Sequence, residues 1–551
     1  MPIKSIKQGG DIPSNQVGIA TNPRAENSLS ELSFEGHLRQ LNSNIYTNKL
    51  NDPSAGQLVY TPFPVEPFTS LRSDFTYSTQ EDVSQFTDVR VKGDFMFVGA
   101  PFRNTGSASS YNSPTKDAVG LVYIYKLDGT HWASIPSPAP GERSKFTFGF
   151  SLDYDPSVGK IYVGALDYNE TTGGFLYIYD WDGSRKLTTS DWGTPTIVQA
   201  SDRPANQKDY FGTIVRAING KVVVSAARGG PNGYGKVYVY NSDGSGEVAI
   251  TPSDSYYSGT TNVKFGCSID VDGNPTDGYK IAIGSWGWED GGNSYRKGGA
   301  FVYNLDGTGE VMILPERGRT TRRCFDYGNS VAIDVSAGKI FITCPDSTDT
   351  EYSYNTTDIG TLAICNLDGT GQINIDPVFD ATPSPKPWSS WPSSAKFAWK
   401  IGLNRNTQRI FAYQSNLGPS GRLASVQIMD YDGSDLVVQR LWDGPADTYP
   451  DPNGDPYPFG KLANETAKFD QAAVQNNSPT FDDNPVEYMF VTELSESSFG
   501  VHANRRWCVT DSGSLIVVGT ATVYHPMYTQ TYGKLNQNNF GTGYVIKGLD
   551  S

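Results

Sequence analysis

One short segment returns six times along this chain, and its return decides what the chain can fold into. It reads L-V-Y-I-Y-K-L-D-G-T at Leu121 to Thr130, then F-L-Y-I-Y-D-W-D-G-S from Phe175 and K-V-Y-V-Y-N-S-D-G-S from Lys236. The later copies are A-F-V-Y-N-L-D-G-T from Ala300, T-L-A-I-C-N-L-D-G-T from Thr361 and S-V-Q-I-M-D-Y-D-G-S from Ser425. Their Asp-Gly marks, at Asp128, Asp182, Asp243, Asp306, Asp368 and Asp432, recur at a nearly constant spacing of about 60 residues. A sequence that repeats itself at this period folds as repeated supersecondary units.

Alternating aromatic and β-branched residues such as Tyr123, Ile124 and Tyr125 suit a pleated, half-buried strand. Asp-Gly then suggests a two-residue hairpin turn with positive dihedrals. The next strand begins at once, as in Glu247-Val-Ala-Ile and Glu310-Val-Met-Ile. A second hairpin precedes each copy: Phe148-Gly-Phe-Ser-Leu-Asp leads through Ser157-Val-Gly to Lys160-Ile-Tyr-Val-Gly-Ala. Equivalent pairs are Phe211-Gly with Lys221-Val-Val-Val-Ser-Ala, Phe265-Gly with Lys280-Ile-Ala-Ile-Gly-Ser, and Tyr327-Gly with Lys339-Ile-Phe-Ile-Thr-Cys. Four antiparallel strands per repeat predict an all-β fold, a β-propeller of four-stranded blades rather than a solenoid.

Residues 81–551 hold the propeller. The sixth copy has degenerated, with Phe397-Ala in place of Phe-Gly, and an insertion over 441–498 separates it from a last copy ending Gly543-Tyr-Val-Ile-Lys-Gly-Leu-Asp. That copy stops where its Asp-Gly turn belongs and so lacks a fourth strand. Seven blades are expected, eight if the insertion hides another. An open edge invites aggregation, and two segments could cover it: Asp74 to Thr79, or Val486 to Thr492 within the insertion.

Residues 1–80 belong to no repeat and read as an extended docking arm. One short helix is predicted there, from about Ser28 to Asn44, with Ser28 and Glu31 as a capping pair and Leu29, Leu32, Leu38 and Leu41 at helical spacing. The helix either folds back on the propeller or docks on another subunit.

The net charge of −15 opposes unspecific binding to nucleic acid or to anionic membrane, and no stretch is long enough to span a bilayer. The opening residues lack the apolar segment of a secretory signal. Five cysteines, Cys267, Cys324, Cys344, Cys365 and Cys508, show no metal-ligand spacing and are expected as buried thiols in a reducing cytoplasm.

The pairing of Phe-Gly, a short hairpin and a strand ending in Gly-Ala or Gly-Ser resembles the FG-GAP repeats of integrin-type propellers, over about residues 86 to 551. Phe86-Thr-Asp-Val through Val98-Gly-Ala-Pro is among its clearer copies. Such repeats often carry an Asp-rich calcium loop. Here only Asp270, Asp272 and Asp277 come near one, offering three carboxylates where calcium takes six or more oxygens, so an ordinary turn and no cofactor are expected. The polar arm, the thiols and the degenerate propeller also resemble, in style, virion structural proteins of tailed phages, whose propellers occur in tail and fibre components.

Catalysis needs convergent titratable groups, and the four histidines, His37, His131, His502 and His525, are scattered with no adjacent nucleophile motif. No P-loop or dinucleotide fingerprint occurs. A residue repeated in every blade is architecture first, so function is sought in the loops that vary. These place Tyr111, Tyr168, Trp286, Trp288, Tyr295, Tyr352, Tyr354, Trp388 and Trp391 on one face, suited to a protein neighbour or a glycan, or else packed on one another. The expectation is a non-enzymatic structural or adhesive virion component of a tail, nozzle or fibre, assembled in the bacterial host cytoplasm as a homo-oligomer with other virion proteins. A host-surface glycan or protein is the further partner. The alternatives are a bacterial surface adhesin or lectin-like propeller, and a propeller glycosidase or lyase with carboxylates gathered at the central channel.

Overall fold

The computed structural model describes residues 59–64, 487–490, 507–510, 515–523 and 538–547, and most of 88–440. Within 88–440 it leaves out 102–119, 128–129, 139–145, 168–172, 187–190, 204–208, 228, 231–233, 254–262, 288–297, 316–321, 324–325, 346, 350–359, 376–396, 415–424 and 435–436. The predicted helix with Leu29, Leu32, Leu38 and Leu41 lies outside the described residues. Among the described residues there is no α-helix, and the chain is all-β.

Six four-stranded antiparallel sheets follow one another, each with its strands paired in chain order. The first holds Asp88–Lys92, Phe95–Ala100, Leu121–Lys126 and His131–Pro136; the second Phe146–Asp155, Lys160–Asp167, Phe175–Asp180 and Thr196–Val198. The third runs through Phe211–Ile218, Lys221–Ala226, Lys236–Asn241 and Val248–Ile250, and the fourth through Phe265–Asn274, Gly278–Ser285, Gly299–Asn304 and Val311–Ile313. The fifth comprises Val331–Asp334, Lys339–Cys344, Thr361–Asn366 and Ile373–Ile375, and the sixth Lys400–Asn404, Arg409–Gln414, Ser425–Asp430 and Val437–Arg440.

A further sheet joins the two ends of the chain. Asn538–Lys547 pairs on one side with Leu515–Val523 and on the other with Val59–Pro64, Val59 opposite Lys547. The outer edge expected to be open is thus taken by an N-terminal strand, upstream of the Asp74 to Thr79 segment, which lies outside the described residues. The other candidate, from the insertion, contributes Glu487–Phe490 to the far side of Leu515–Val523, beside Trp507–Val509. The first strands of successive sheets touch in sequence, and Trp507–Val509 touches both Lys400–Asn404 and Asp88–Lys92.

The core lies between neighbouring sheets. Phe97, Ile124 and Leu152 close the first against the second, and Val239, Phe265 and Ile283 the third against the fourth. The Phe-Gly motif builds both halves of each joint. Its phenylalanine packs edge-on to the alternating aromatics of its own third strand: Phe148 to Tyr177, centroids 5.4 Å apart, and Phe265 to Phe301, 5.2 Å. Its glycine takes a positive φ, 88° at Gly149, where the strand bulges before Ser151. The glycine's carbonyl then rests on the preceding sheet's Gly-Ala, so that a Cβ at Gly164 would overlap the oxygen of Gly212. In the third sheet Ser225 stands there instead, and its Oγ donates to the Gly266 carbonyl (2.6 Å).

The Asp-Gly turns differ from expectation. In Asn241–Ser245 the Asn241 N–H donates to the Ser245 carbonyl and the Gly244 N–H to that of Asn241, and the positive φ belongs to Gly244 alone, 86°. This is a three-residue loop, a type I turn closed by a left-handed glycine, repeated around Gly307, Gly369 and Gly433. The aspartate's work is to accept from the hydroxyl and N–H two residues on: Asp243 from Ser245 (2.6 and 2.9 Å), Asp306 from Thr308 (2.7 and 3.0 Å). That bond needs the aspartate in a right-handed conformation, which the two-residue turn denies it. The two-residue turn with both dihedrals positive is found at Asn219 and Gly220, φ 49° and 71°.

Cys344 is disulfide-bonded, a correction to five reduced thiols; Cys267, Cys365 and Cys508 form no disulfide.

Candidate functional site

On the first strands, side-chain chemistry changes from sheet to sheet. At the position opposite Phe97, Tyr162, Val223, Ala282, Phe341 and Phe411 of the second strands stand Arg90, Asp153, Arg216, Asp270, Ala332 and Gly402. Backbone pairing fixes the register of this position, while packing of the sheet leaves its chemistry free to vary.

The carboxylates here are tied to the next sheet. Asp88 Oδ2 accepts from the Leu152 N–H (3.1 Å), Asp153 Oδ2 from Ala217 (2.8 Å) and Asp155 Oδ2 from Gly220 (2.7 Å). In the fourth sheet Asp270 Oδ2 accepts from Ile333 (3.0 Å) and Asp272 Oδ2 from Val335 (2.7 Å). The first strand of a sheet has one edge with no strand beside it, and these carboxylates satisfy N–H groups that would otherwise be buried without acceptors. Asp334 Oδ2 accepts from the Tyr431 hydroxyl of the sixth sheet (2.8 Å).

Cations supply the complementary link to carbonyls. Arg216 donates from Nε to the Ile269 oxygen (3.1 Å) and from Nη1 to that of Val215 (2.7 Å). Arg405 spans two sheets, reaching the Ile333 oxygen (2.8 Å), Asp270 (3.0 Å) and Asp272 (3.5 Å). Arg90 lies 3.8 Å from Asp88, and Lys92 4.0 Å from Asp153.

Between these strands lies a cavity of about 110 Å³, lined among others by Arg90, Arg216, Asp270, Ser330, Lys400 and Arg405. Burial sets its electrostatics. Asp153 is 1% exposed, and loss of water raises its pKa above 3.8 despite Lys92 and Arg90. Asp272 is raised for the same reason, with Arg405 opposing. Burial pushes the thiol of Cys508 up to about 11 and that of Cys267 to about 12, so neither is a poised nucleophile at neutral pH.

Of the loop-face aromatics, Trp286 is described: half-buried, directly after the second strand of the fourth sheet. Tyr111, Tyr168, Trp288, Tyr295, Tyr352, Tyr354, Trp388 and Trp391 lie outside the described residues. The calcium candidates do not converge as a ligand set: Arg405 lies between Asp270 and Asp272, and Asp277 accepts from Asn274 Nδ2 (2.8 Å). Among the described residues, no group of three or more His, Cys, Asp or Glu is placed to hold a metal ion. His131 shares a hydrogen bond with the Ser134 hydroxyl (2.8 Å) at the periphery of the first sheet.

Sequence reasoning named Asp270 and Asp272 only as calcium candidates and missed Asp88, Asp153 and the arginines, because most aspartates belong to the repeated Asp-Gly turns. A signal was present: Asp88, Asp153 and Asp270 precede their partners' strands by one repeat length. Scans of the chain against protein-family models and against curated proteins return no match.

Proposed function

We propose that the chain is a seven-bladed β-propeller serving as a non-enzymatic structural or adhesive component of a tailed-phage particle, in its tail, nozzle or fibre. The observation that carries the non-enzymatic reading is the commitment of the inner carboxylates Asp88, Asp153, Asp270 and Asp272 to main-chain N–H groups of the next sheet. A catalytic carboxylate must exchange protons or partners during turnover, and doing so here would loosen the joint between blades. The blade count is supported by the contacts that run from first strand to first strand and return through Trp507–Val509 to Asp88–Lys92. Pairing of Val59–Pro64 with the last strand supports ring closure by the two chain ends. Residues ahead of Val59 then serve as the docking arm, and the variable loops as the face that meets a neighbouring subunit or the host surface. The phage setting rests on the resemblance in style.

The test is light scattering with size-exclusion chromatography on the full chain and on a chain starting at residue 58. A defined oligomer that becomes a folded monomer on removal of the arm supports assembly, and two identical monomers sink that part of the proposal. Release of reducing ends from a polysaccharide panel would overturn the non-enzymatic part. Glycan binding that survives the deletion and fails in Trp286→Ala would favour a lectin-like role.

A further inference from the structure

The inner strands enclose an imbalance of charge that the architecture does not require. We propose that the cavity between Arg90, Arg216, Lys400 and Ser330 is a binding site for one small oxyanion, a phosphate, sulfate or carboxylate group.

Arg216 carries the argument. It is 7% exposed, and both its hydrogen bonds go to main-chain carbonyls, which orient the guanidinium without neutralising it. Across the cavity Arg90 is apposed to Asp88 without being bonded to it: the separation is 3.8 Å, and neither Arg90 Nε nor Asp88 Oδ1 has a hydrogen-bond partner. The other oxygen of Asp88 is held by Leu152. Arg405 is taken by Asp270 and Asp272, and Lys92 faces Asp153. Lys400, 7% exposed, adds a further buried cation to the lining.

The charged residues that line this space are Arg90, Arg216, Lys400 and Arg405, with Asp270 as the carboxylate. Arg405 is matched by carboxylates, whereas the hydrogen bonds of buried Arg216, among the described residues, reach carbonyl oxygens alone, in a chain whose net charge is −15. Cys508 shares the wall of the cavity with Arg90 and Lys400. An uncompensated buried charge is costly, and a bound anion removes that cost. The cavity, about 110 Å³, is several times what one water requires, and guanidinium groups match the geometry of an oxyanion with paired N–H donors. Ser330 contributes a hydroxyl at its wall. No step of this argument depends on the phage setting.

The test is calorimetric titration of the full chain with inorganic phosphate and, separately, with acetate, against potassium chloride at matched ionic strength. One saturable site per chain is expected. Arg216→Gln should weaken it by about tenfold or more, with the fold verified by circular dichroism. If Arg216→Gln does not fold, Arg90→Gln provides the same comparison. Preference for phosphate identifies a tetrahedral ligand and preference for acetate a carboxylate. The proposal is overturned if neither anion binds the wild type beyond chloride, or if folded Arg216→Gln or Arg90→Gln binds as the wild type does.

Discussion

Asp153 of the second sheet accepts a hydrogen bond from the main-chain N–H of Ala217 in the third, 2.8 Å away, with one repeat of sequence between them. Similar bonds link Asp88 to Leu152 and Asp270 to Ile333, so the joint between sheets is polar on the inside and apolar further out. Asp153→Ala leaves the Ala217 N–H buried without its acceptor and should cost about 1–3 kcal/mol in urea denaturation. Asp153→Asn keeps an oxygen acceptor and should cost less. Equal losses would contradict the role assigned to this bond.

Arg405 makes a comparable joint from the opposite charge. Arg405→Met should destabilise by about 1–3 kcal/mol, since it leaves Asp270 and Asp272 as near neighbours without their cation. Adding Asp270→Asn should return part of that loss, and a double-mutant cycle reads the coupling directly. With Arg405 in place, millimolar calcium and its removal by chelator should both leave the melting temperature unchanged. A calcium-dependent rise would show that the carboxylates can release the arginine.

Two glycines separate dihedral strain from steric exclusion. Gly183 has φ 83° and open space where a Cβ would go, so Gly183→Ala should cost about 1 kcal/mol from the backbone alone. A Cβ on Gly164 would overlap the Gly212 carbonyl oxygen of the next sheet. Gly164→Ala must push two sheets apart and should be the more damaging of the pair by thermal unfolding. The reverse order would mean that the sheets are less closely seated than described.

Acid should act on two sets of aspartates in opposite senses. Asp243, Asp306, Asp368 and Asp432 are held below 3.8 by the hydroxyl and N–H two residues on, so their stabilisation is present above 3.8 and is lost as pH falls through the folded value. Asp153 and Asp272 are raised by burial, so their contribution is full below 3.8 and is lost as pH rises through the folded value. Converting the four turn aspartates to asparagine should therefore soften the decline of the urea midpoint on acidification. Asp153→Asn should steepen it.

The strands, the six-fold Asp-Gly mark and the Phe-Gly motif were legible because they are local: each is written within ten residues and copied at a constant period; the bulge at that glycine was not read from the sequence. Even there the turn was misread by one residue, since Asp-Gly suits both a two-residue and a three-residue loop. The choice falls on the second because Ser245 or Thr308 follows the glycine and binds the aspartate back. The lysine that opens the second strand of the third and fifth sheets was visible but its partner was not: Lys221 reaches Asn241 (2.6 Å) and Lys339 reaches Asn366 (2.7 Å) on the neighbouring strand. Arg216 and Arg405 were illegible for a different reason. Arg405 occurs in one repeat only and the arginine at the position of Arg216 recurs only as Arg90, so no period marks them, and they reach partners in other sheets. The loop aromatics, chosen because they vary, remain candidates of which Trp286 alone has a described position.

The central claim is that the two ends of the chain complete one sheet, Val59–Pro64 along Asn538–Lys547. Thermal unfolding followed with light scattering, on chains starting at residues 58 and 67, tests it most directly. The first keeps the strand and should melt with the full chain. The second uncovers the edge of Asn538–Lys547 and should melt several degrees lower and self-associate. If both melt with the full chain and stay monodisperse, the N-terminal strand does not complete this sheet and the claim is contradicted.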